Sequence, residues 1–283
     1  MDIVLDRKKG ILFMLISCFW FAAMQMFVKL SGNSIPLFEQ VFFRNLVTLF
    51  LCGFLCFKNN VRFFGTKESR PYLYLRSILG YLGVVLNFYA INNMNTADAT
   101  ILQKSSPIFV IIFSVIFLKE KLTKTNIITL ILCFIGAIFV VRPQFNSTVI
   151  PAVAGLASAG FAGGAYTVLA YVNKMEDSNT IIFFFSLVSS IITIPFLFID
   201  FVTPTFIQFL SLIGIGIFAG LGQIFLTLSY KYALATDVSI YNYATIIFTS
   251  IMGYFIFGEI LNIFSVVGIV LIFSSSYYQY KRR

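Results

Sequence analysis

The chain has no histidine. That removes the commonest general base, the commonest metal ligand and any Ser-His-Asp arrangement. Charge is scarce as well. Only 11% of the 283 residues are charged, against roughly a quarter in a soluble domain, and only 11 are Asp or Glu. Those acids lie at or near the ends of apolar segments, so the paired intramembrane carboxylates of a proton relay or hydrolase are missing. No glycine-rich nucleotide loop is present, which argues against ATP coupling within this chain. The four cysteines, Cys18, Cys52, Cys56 and Cys133, fall inside apolar segments and imply no disulfide. Cys52 and Cys56 share a helix face and read as small apolar filler rather than a metal pair. No metal, cofactor or enzymatic activity is expected.

What is abundant is apolar length. Hydrophobic residues make up 59% of the chain and its mean hydropathy is +0.93. Segments long enough to cross a bilayer recur at about 10–30, 36–57, 71–93, 97–118, 124–141, 150–173, 179–199, 207–230, 238–257 and 262–280. Continuous runs such as 108–118 and 181–194 favour helices over the alternating strands of a membrane barrel. The first run lacks a small-residue cleavage site and reads as the first span rather than a signal peptide. With the N-terminus inside, cytoplasmic segments hold fifteen Lys and Arg, outer segments hold two (Lys29 and Arg142), and Arg44, Arg76 and Lys104 lie within spans. The reading is an all-α, multi-pass integral membrane protein with ten transmembrane helices and both termini cytoplasmic. The net charge of +9 then reports orientation in a lipid bilayer, not nucleic-acid binding. Richness in Phe, Ile and Asn suggests an AT-rich genome and hence a bacterial inner membrane.

Residues 97–132 return without a gap at 236–271, an offset of 139 that pairs Asp98 with Asp237, Glu120 with Glu259 and Lys104 with Tyr243. The same offset joins Gly83 to Gly222. Two halves follow, residues 1–143 and 144–283. Five helices per half is an odd number, so the second copy sits upside down relative to the first. Pro107 pairs with Ile246, which predicts a kink in one copy only.

Polar and small residues at helical spacing mark faces that cannot meet lipid cheaply. The candidates are Gln25 with Trp20 beside it in segment 1, Arg76 and Asn87 in segment 3, and Gln103 and Lys104 in segment 4. Tyr166 stands in segment 6, Gln223 in segment 8, and Tyr241, Asn242 and Tyr243 in segment 9. Lys104 is the sharpest, roughly 12 Å into its helix at 1.5 Å per residue, near mid-membrane. It is expected to grip an anionic or zwitterionic group. Arg44 and Arg76 read first as anchoring residues, because long basic side chains snorkel. The glycines, Gly80 and Gly83 among them, read as helix-packing residues.

The run Asn95-Thr96-Ala97-Asp98-Ala99, then Ser106-Pro107-Ile108-Phe109, Leu118-Lys119-Glu120-Lys121-Leu122, Gly136 and Val140-Val141 resembles an EamA repeat of the drug/metabolite transporter superfamily. Asp237 through Phe257-Gly258-Glu259-Ile260-Leu261 resembles a second. The resemblance implies two inverted five-helix repeats around a central cavity lined mainly by segments 1, 3, 4, 6, 8 and 9. It implies a secondary transporter, with Arg76 at a position where many members carry a basic residue. The expected function is alternating-access movement of a small amino-acid-like, zwitterionic or anionic metabolite, by a monomer or homodimer. The alternative is a multidrug or toxic-compound exporter.

Overall fold

The computed structural model describes residues 5–32, 35–94, 96–143, 149–258 and 263–282, without the side chains of residues 88, 91, 92 and 96–98. Glu259, Leu261 and the Asp98 side chain, markers of the repeat, lie outside what is described. The helices are α1 (Arg7–Ser31), α2 (Leu37–Lys58), α3 (Arg70–Asn93), α4 (Thr96–Gln103), α5 (Ser106–Phe117), α6 (Lys124–Val141) and α7 (Val149–Val172). Then come α8 (Ser178–Leu197), α9 (Phe206–Tyr232), the short α10 (Ala235–Val238), a 3-10 turn (Ser239–Tyr243), α11 (Ala244–Phe257) and α12 (Ile263–Arg282). No strand occurs among the described residues. Nine segments there are long and apolar enough to cross a membrane. The 24-residue α3, which carries Arg70 and Arg76, is not among them.

Hydrocarbon offers no hydrogen bonds, so a span must close its backbone within the protein, and α1, α6, α8 and α9 each start on a side-chain cap. Asp6 accepts from the Lys9 amide at 3.0 Å, Thr123 from Asn126, and Asp177 from Asn179 at 2.9 Å. Thr205 and Gln208 form a reciprocal capping box at the start of α9.

The duplication is visible in the packing. Shifted by 139, Arg7–Ser31 falls on 146–170, where α7 runs Val149–Val172. Likewise Arg70–Asn93 falls on 209–232, the body of α9. The principal contacts obey the same exchange: α1 packs on α9 as α3 packs on α7, and α1 on α11 as α7 on α5. The pairs α2–α8 and α6–α12 map onto themselves. Small residues let these backbones approach. A Cβ at Gly83 would stand 3.2 Å from the Ala162 amide, and one at its counterpart Gly222 would stand 2.9 Å from the Phe21 ring. Ser17 donates to the Gly222 carbonyl at 2.8 Å and Ser229 to the Gly10 carbonyl at 2.7 Å, tying α1 to α9.

The expectation of a kink in one copy only is corrected. The fourth span breaks at Lys104–Ser105, between α4 and α5, and the ninth breaks over the 3-10 turn Ser239–Tyr243. These breaks are equivalent under the offset. Pro107 explains the first, since it has no N–H for the Gln103 carbonyl. The second needs no proline because side chains take up the loosened carbonyls. The Cys18 thiol lies 3.5 Å from the Tyr241 oxygen and 3.9 Å from the Asn242 oxygen, and Thr245 donates to the Asn242 carbonyl at 2.9 Å. Cys18 thus serves the break as a donor.

At one end of the bundle the halves are laced together. Glu120 accepts from the amides of Ala235 and Thr236 at 3.1 and 2.9 Å, capping α10 from the other half. Asn126 donates to Asp237 at 3.2 Å, and Arg7 approaches the same carboxylate at 3.9 Å.

Among the described glycines, the α6–α12 crossing is where a Cβ would come closest to backbone. A Cβ at Gly268 would come within 2.5 Å of the Gly136 carbonyl oxygen. Gly268→Ala therefore forces the helices apart at a cost of about 1–3 kcal/mol. It should lower the thermal-unfolding midpoint of the detergent-purified protein, and Gly268→Leu should lower it further. An unchanged midpoint in both would mean that α6 and α12 do not cross here.

Candidate functional site

The helical phase of α3 places Arg76, Gly80, Gly83, Val84 and Asn87 on one face. That face borders a hollow of about 190 Å³ near the middle of the bundle. Met24 and Val28 of α1 and Gln40, Val41 and Arg44 of α2 complete the first half's wall, with Gln103 from α4. The second half contributes Ala162, Ala165 and Tyr166 of α7, Phe185 of α8, and Ile215 and Gln223 of α9. Both repeats therefore build one cavity.

Arg76 dominates it. Its side chain is 2% exposed, and its guanidinium lies 3.8 Å from the centre of the Phe185 ring, a cation–π contact. Gly80 makes room for this arrangement: a Cβ there would sit 3.0 Å from both Arg76 Nη1 and the Phe185 ring. Stacking holds the guanidinium plane but does not satisfy its edges, and Nε and Nη1 have no hydrogen-bond partner. Arg44 donates to the Asn45 side chain at 3.2 Å and lies within electrostatic reach of Arg76, as does the Tyr166 hydroxyl. Tyr166 is itself stacked on Tyr230, with ring centres 5.8 Å apart. Asn87 Oδ1 and Gln223 Nε2 are buried without partners. No acidic residue is among the described residues that line the hollow. The arrangement is a small polar chamber with two cations, four amides (Gln40, Asn87, Gln103 and Gln223) and one phenol.

Of the residues expected from sequence, Arg76, Asn87, Gln103, Tyr166 and Gln223 line this hollow together. The others gather elsewhere. Trp20 stacks on Phe218 at 5.5 Å, and Gln25 accepts from Thr249 at 3.2 Å. Lys104 stands at the break between α4 and α5, half-buried and within electrostatic reach of Cys18. Asn242 accepts from Thr245 at 3.2 Å. Tyr241 donates to the Ser276 carbonyl at 3.3 Å, and Tyr243 is fully buried against Ile101, Cys133 and Ile272. These six belong to the seam of α1 with the broken helices and to the α6–α12 side. Arg44, given an anchoring role on depth alone, is a wall residue of the cavity. So are Gln40, which lies near the start of α2, and Phe185, one apolar ring among 35 phenylalanines and without a polar signal. A second hollow of about 650 Å³ among α3, α5 and α7 is lined by Phe113, Phe117, Phe161 and other apolar groups and carries no charge.

Known proteins match this chain along its length. The EamA-like transporter family matches it twice, at residues 8–142 and 149–279. The chain is 34% identical over 272 residues to the pseudopaline exporter CntI of Pseudomonas aeruginosa, covering 95% of each chain. It is 27% identical over 274 residues to the S-adenosylmethionine uptake transporter of Rickettsia bellii, covering 93% of this chain and 90% of that one. A solved crystal structure agrees with a TM-score of 0.85 over 96% of both chains at 12% identity, a likeness of fold alone.

The cavity can be probed by thiol chemistry, because Cys18, Cys52, Cys56 and Cys133 are all buried. Asn87→Cys and Gln103→Cys are expected to react with a small water-soluble methanethiosulfonate within minutes. Tyr243→Cys is expected to resist it unless the protein is unfolded. Equal labelling of all three by mass spectrometry would contradict the cavity boundaries described.

Proposed function

Because the chain belongs to the EamA-like transporter family, we propose that it is a secondary transporter moving a small zwitterionic or anionic, amino-acid-like solute by alternating access through the cavity between its halves. The observation that carries this reading is that cavity: it is built from both repeats and lined by Arg76, Asn87 and Gln223, each of which keeps a buried polar atom with no partner within the protein. Such atoms are costly unless something arrives to bond them. A transporter, unlike a scaffold, has that visitor.

In this reading α3 is the tenth span. Its 24 residues reach about 36 Å at 1.5 Å each, enough for a hydrocarbon core of about 30 Å. It is the least apolar long helix because one face turns to the cavity rather than to lipid. Ten spans return both termini to one side, and the excess of Lys and Arg makes that side the cytoplasm. The halves divide near 143/144, and the membrane is a bacterial inner membrane. The cavity wall comes from one chain, so a monomer suffices and a homodimer is compatible.

Alternating access follows from inversion. The Glu120, Asp237 and Asn126 contacts across the halves lie at the proposed cytoplasmic end and would have to part when that side opens. The broken spans supply the local freedom. Solute contact is assigned to Arg44, Arg76, Asn87, Gln103, Tyr166 and Gln223. Trp20, Gln25, Lys104 and Asn242 would join as the seam of α1 and α11 shifts, while Tyr241 and Tyr243 hold the packing. Export of lipophilic cations draws no support from a cavity without a carboxylate.

In proteoliposomes preloaded with a mixture of amino acids and organic acids, exchange of at least one solute is expected. Arg76→Ala should reduce its rate tenfold or more, since a hydrogen bond to a charged group is worth about 1.5–3 kcal/mol. Lys104→Ala should reduce it less than Arg76→Ala does. Exchange by Arg76→Ala at the parent rate, with equal protein incorporated, would remove this cavity from the transport path.

A further inference from the structure

The charge balance of the cavity narrows its solute. Arg44 and Arg76 both border it, each within electrostatic reach of the other. A buried cation and a half-buried one side by side repel and lose hydration, so they call for counter-charge. The buried or partly buried acids described in this chain are engaged elsewhere. Glu39, five residues from Arg44, accepts from the Val202 amide at 3.2 Å through Oε2, keeps a buried Oε1 without a hydrogen-bond partner, and is not among the residues bordering the hollow. Glu120 caps α10, Glu176 accepts from Ser69 and Thr66, and Asp237 is held by Asn126 and Arg7. Asp6 and Asp177 cap α1 and α8. The protein thus offers two guanidiniums in one chamber with no carboxylate among its described lining residues.

We infer that the cavity takes a solute with two carboxylates and at most one amine, one carboxylate on each arginine. This rests on the reading of the cavity as the transport site and makes its substrate class narrower. A plain zwitterion brings no net charge and leaves both cations uncompensated. A dicarboxylate or amino dicarboxylate compensates both or one. The geometry fits in two further respects. Arg76 is held flat against Phe185 with Nε and Nη1 unpartnered, so the protein orients its planar guanidinium, the group that pairs with carboxylates, without satisfying it. The hollow, about 190 Å³, is smaller than the roughly 300–1,000 Å³ of drug-sized sites, so the two acidic groups are joined by a short chain. Asn87 and Gln223 remain for an amine or hydroxyl on that chain.

The test is a thermal-unfolding titration of the full-length, detergent-purified protein. The probes are succinate, glutarate, adipate, aspartate and glutamate, against butyrate, alanine, putrescine and inorganic phosphate. At least one dicarboxylate should raise the midpoint saturably, with an apparent affinity at least tenfold tighter than butyrate, alanine, putrescine or phosphate. Arg44→Gln and Arg76→Gln should each abolish the rise. Where either unfolds, Arg44→Lys or Arg76→Lys, which keeps charge but not the fork, should weaken it at least fivefold. Four results would overturn the inference: no dicarboxylate stabilises, a control probe stabilises as well as the best dicarboxylate, phosphate alone stabilises, or the arginine variants respond as the parent does. Binding in detergent requires no transport. Dicarboxylate binding without exchange in proteoliposomes would defeat the transport reading and leave this one standing. Arginine-independent exchange of a neutral or cationic solute would do the reverse.

Discussion

Hydrocarbon leaves no polar group a partner outside the protein, and the structure is organised by that constraint. Regular helices meet it alone. Where helices break, the partner must come from a neighbour. The loosened carbonyls of Tyr241 and Asn242 are met by Cys18 and Thr245, and the first amides of α10 by Glu120 of the opposite half. Those bonds explain why a thiol and a carboxylate stand where an apolar side chain would pack. Hydroxyls such as Ser77 and Thr193 turn back to the carbonyl four residues earlier and cost little. A guanidinium has no such retreat. Arg76, stacked yet unbonded along an edge, is a group the fold has oriented without satisfying.

The duplication fixes backbone and leaves chemistry free. Under the offset of 139, Arg76 corresponds to Ile215 and Val84 to Gln223, and all four border the same hollow. Equivalent backbones therefore face one another across it with different side chains. Gly83 and Gly222, by contrast, serve the same close approach in both halves. Packing demands tolerate little variation and stay symmetric, whereas the cavity carries its cations on one side only.

Nine of the span positions were legible because apolar length is a one-dimensional signal that survives without coordinates. The polar faces of segments 3, 6 and 8 were legible too, since helical spacing gives rotational phase, and Asn87, Tyr166 and Gln223 do meet. Depth was a poorer guide than phase. Lys104 and Arg44 sit at equal depth from their helix starts, yet Arg44 borders the hollow and Lys104 turns towards Cys18 at a break. No periodicity argument reaches through a break, because the turn at Lys104–Ser105 resets the phase. The symmetric break in the ninth span was hidden for a related reason: proline announces a break, but a 3-10 turn satisfied by tertiary contacts does not.

Placement of the cations also bears on how a solute could be released. Arg44 and Arg76 stand on α2 and α3 of one half, and the polar groups opposite, Tyr166 and Gln223, are neutral. In the proposed cycle the halves move against each other, so distances within a half change least. The spacing between the two guanidiniums, and with it the fit to a solute that bridges them, would then be kept in both conformations. What changes is the neutral wall, whose contacts are the weaker ones. An ion pair split across the halves would instead be made and broken in each cycle, trapping the solute in the state where it is made. In the proposed cycle, keeping both cations on one half would preserve the same charged site for either side.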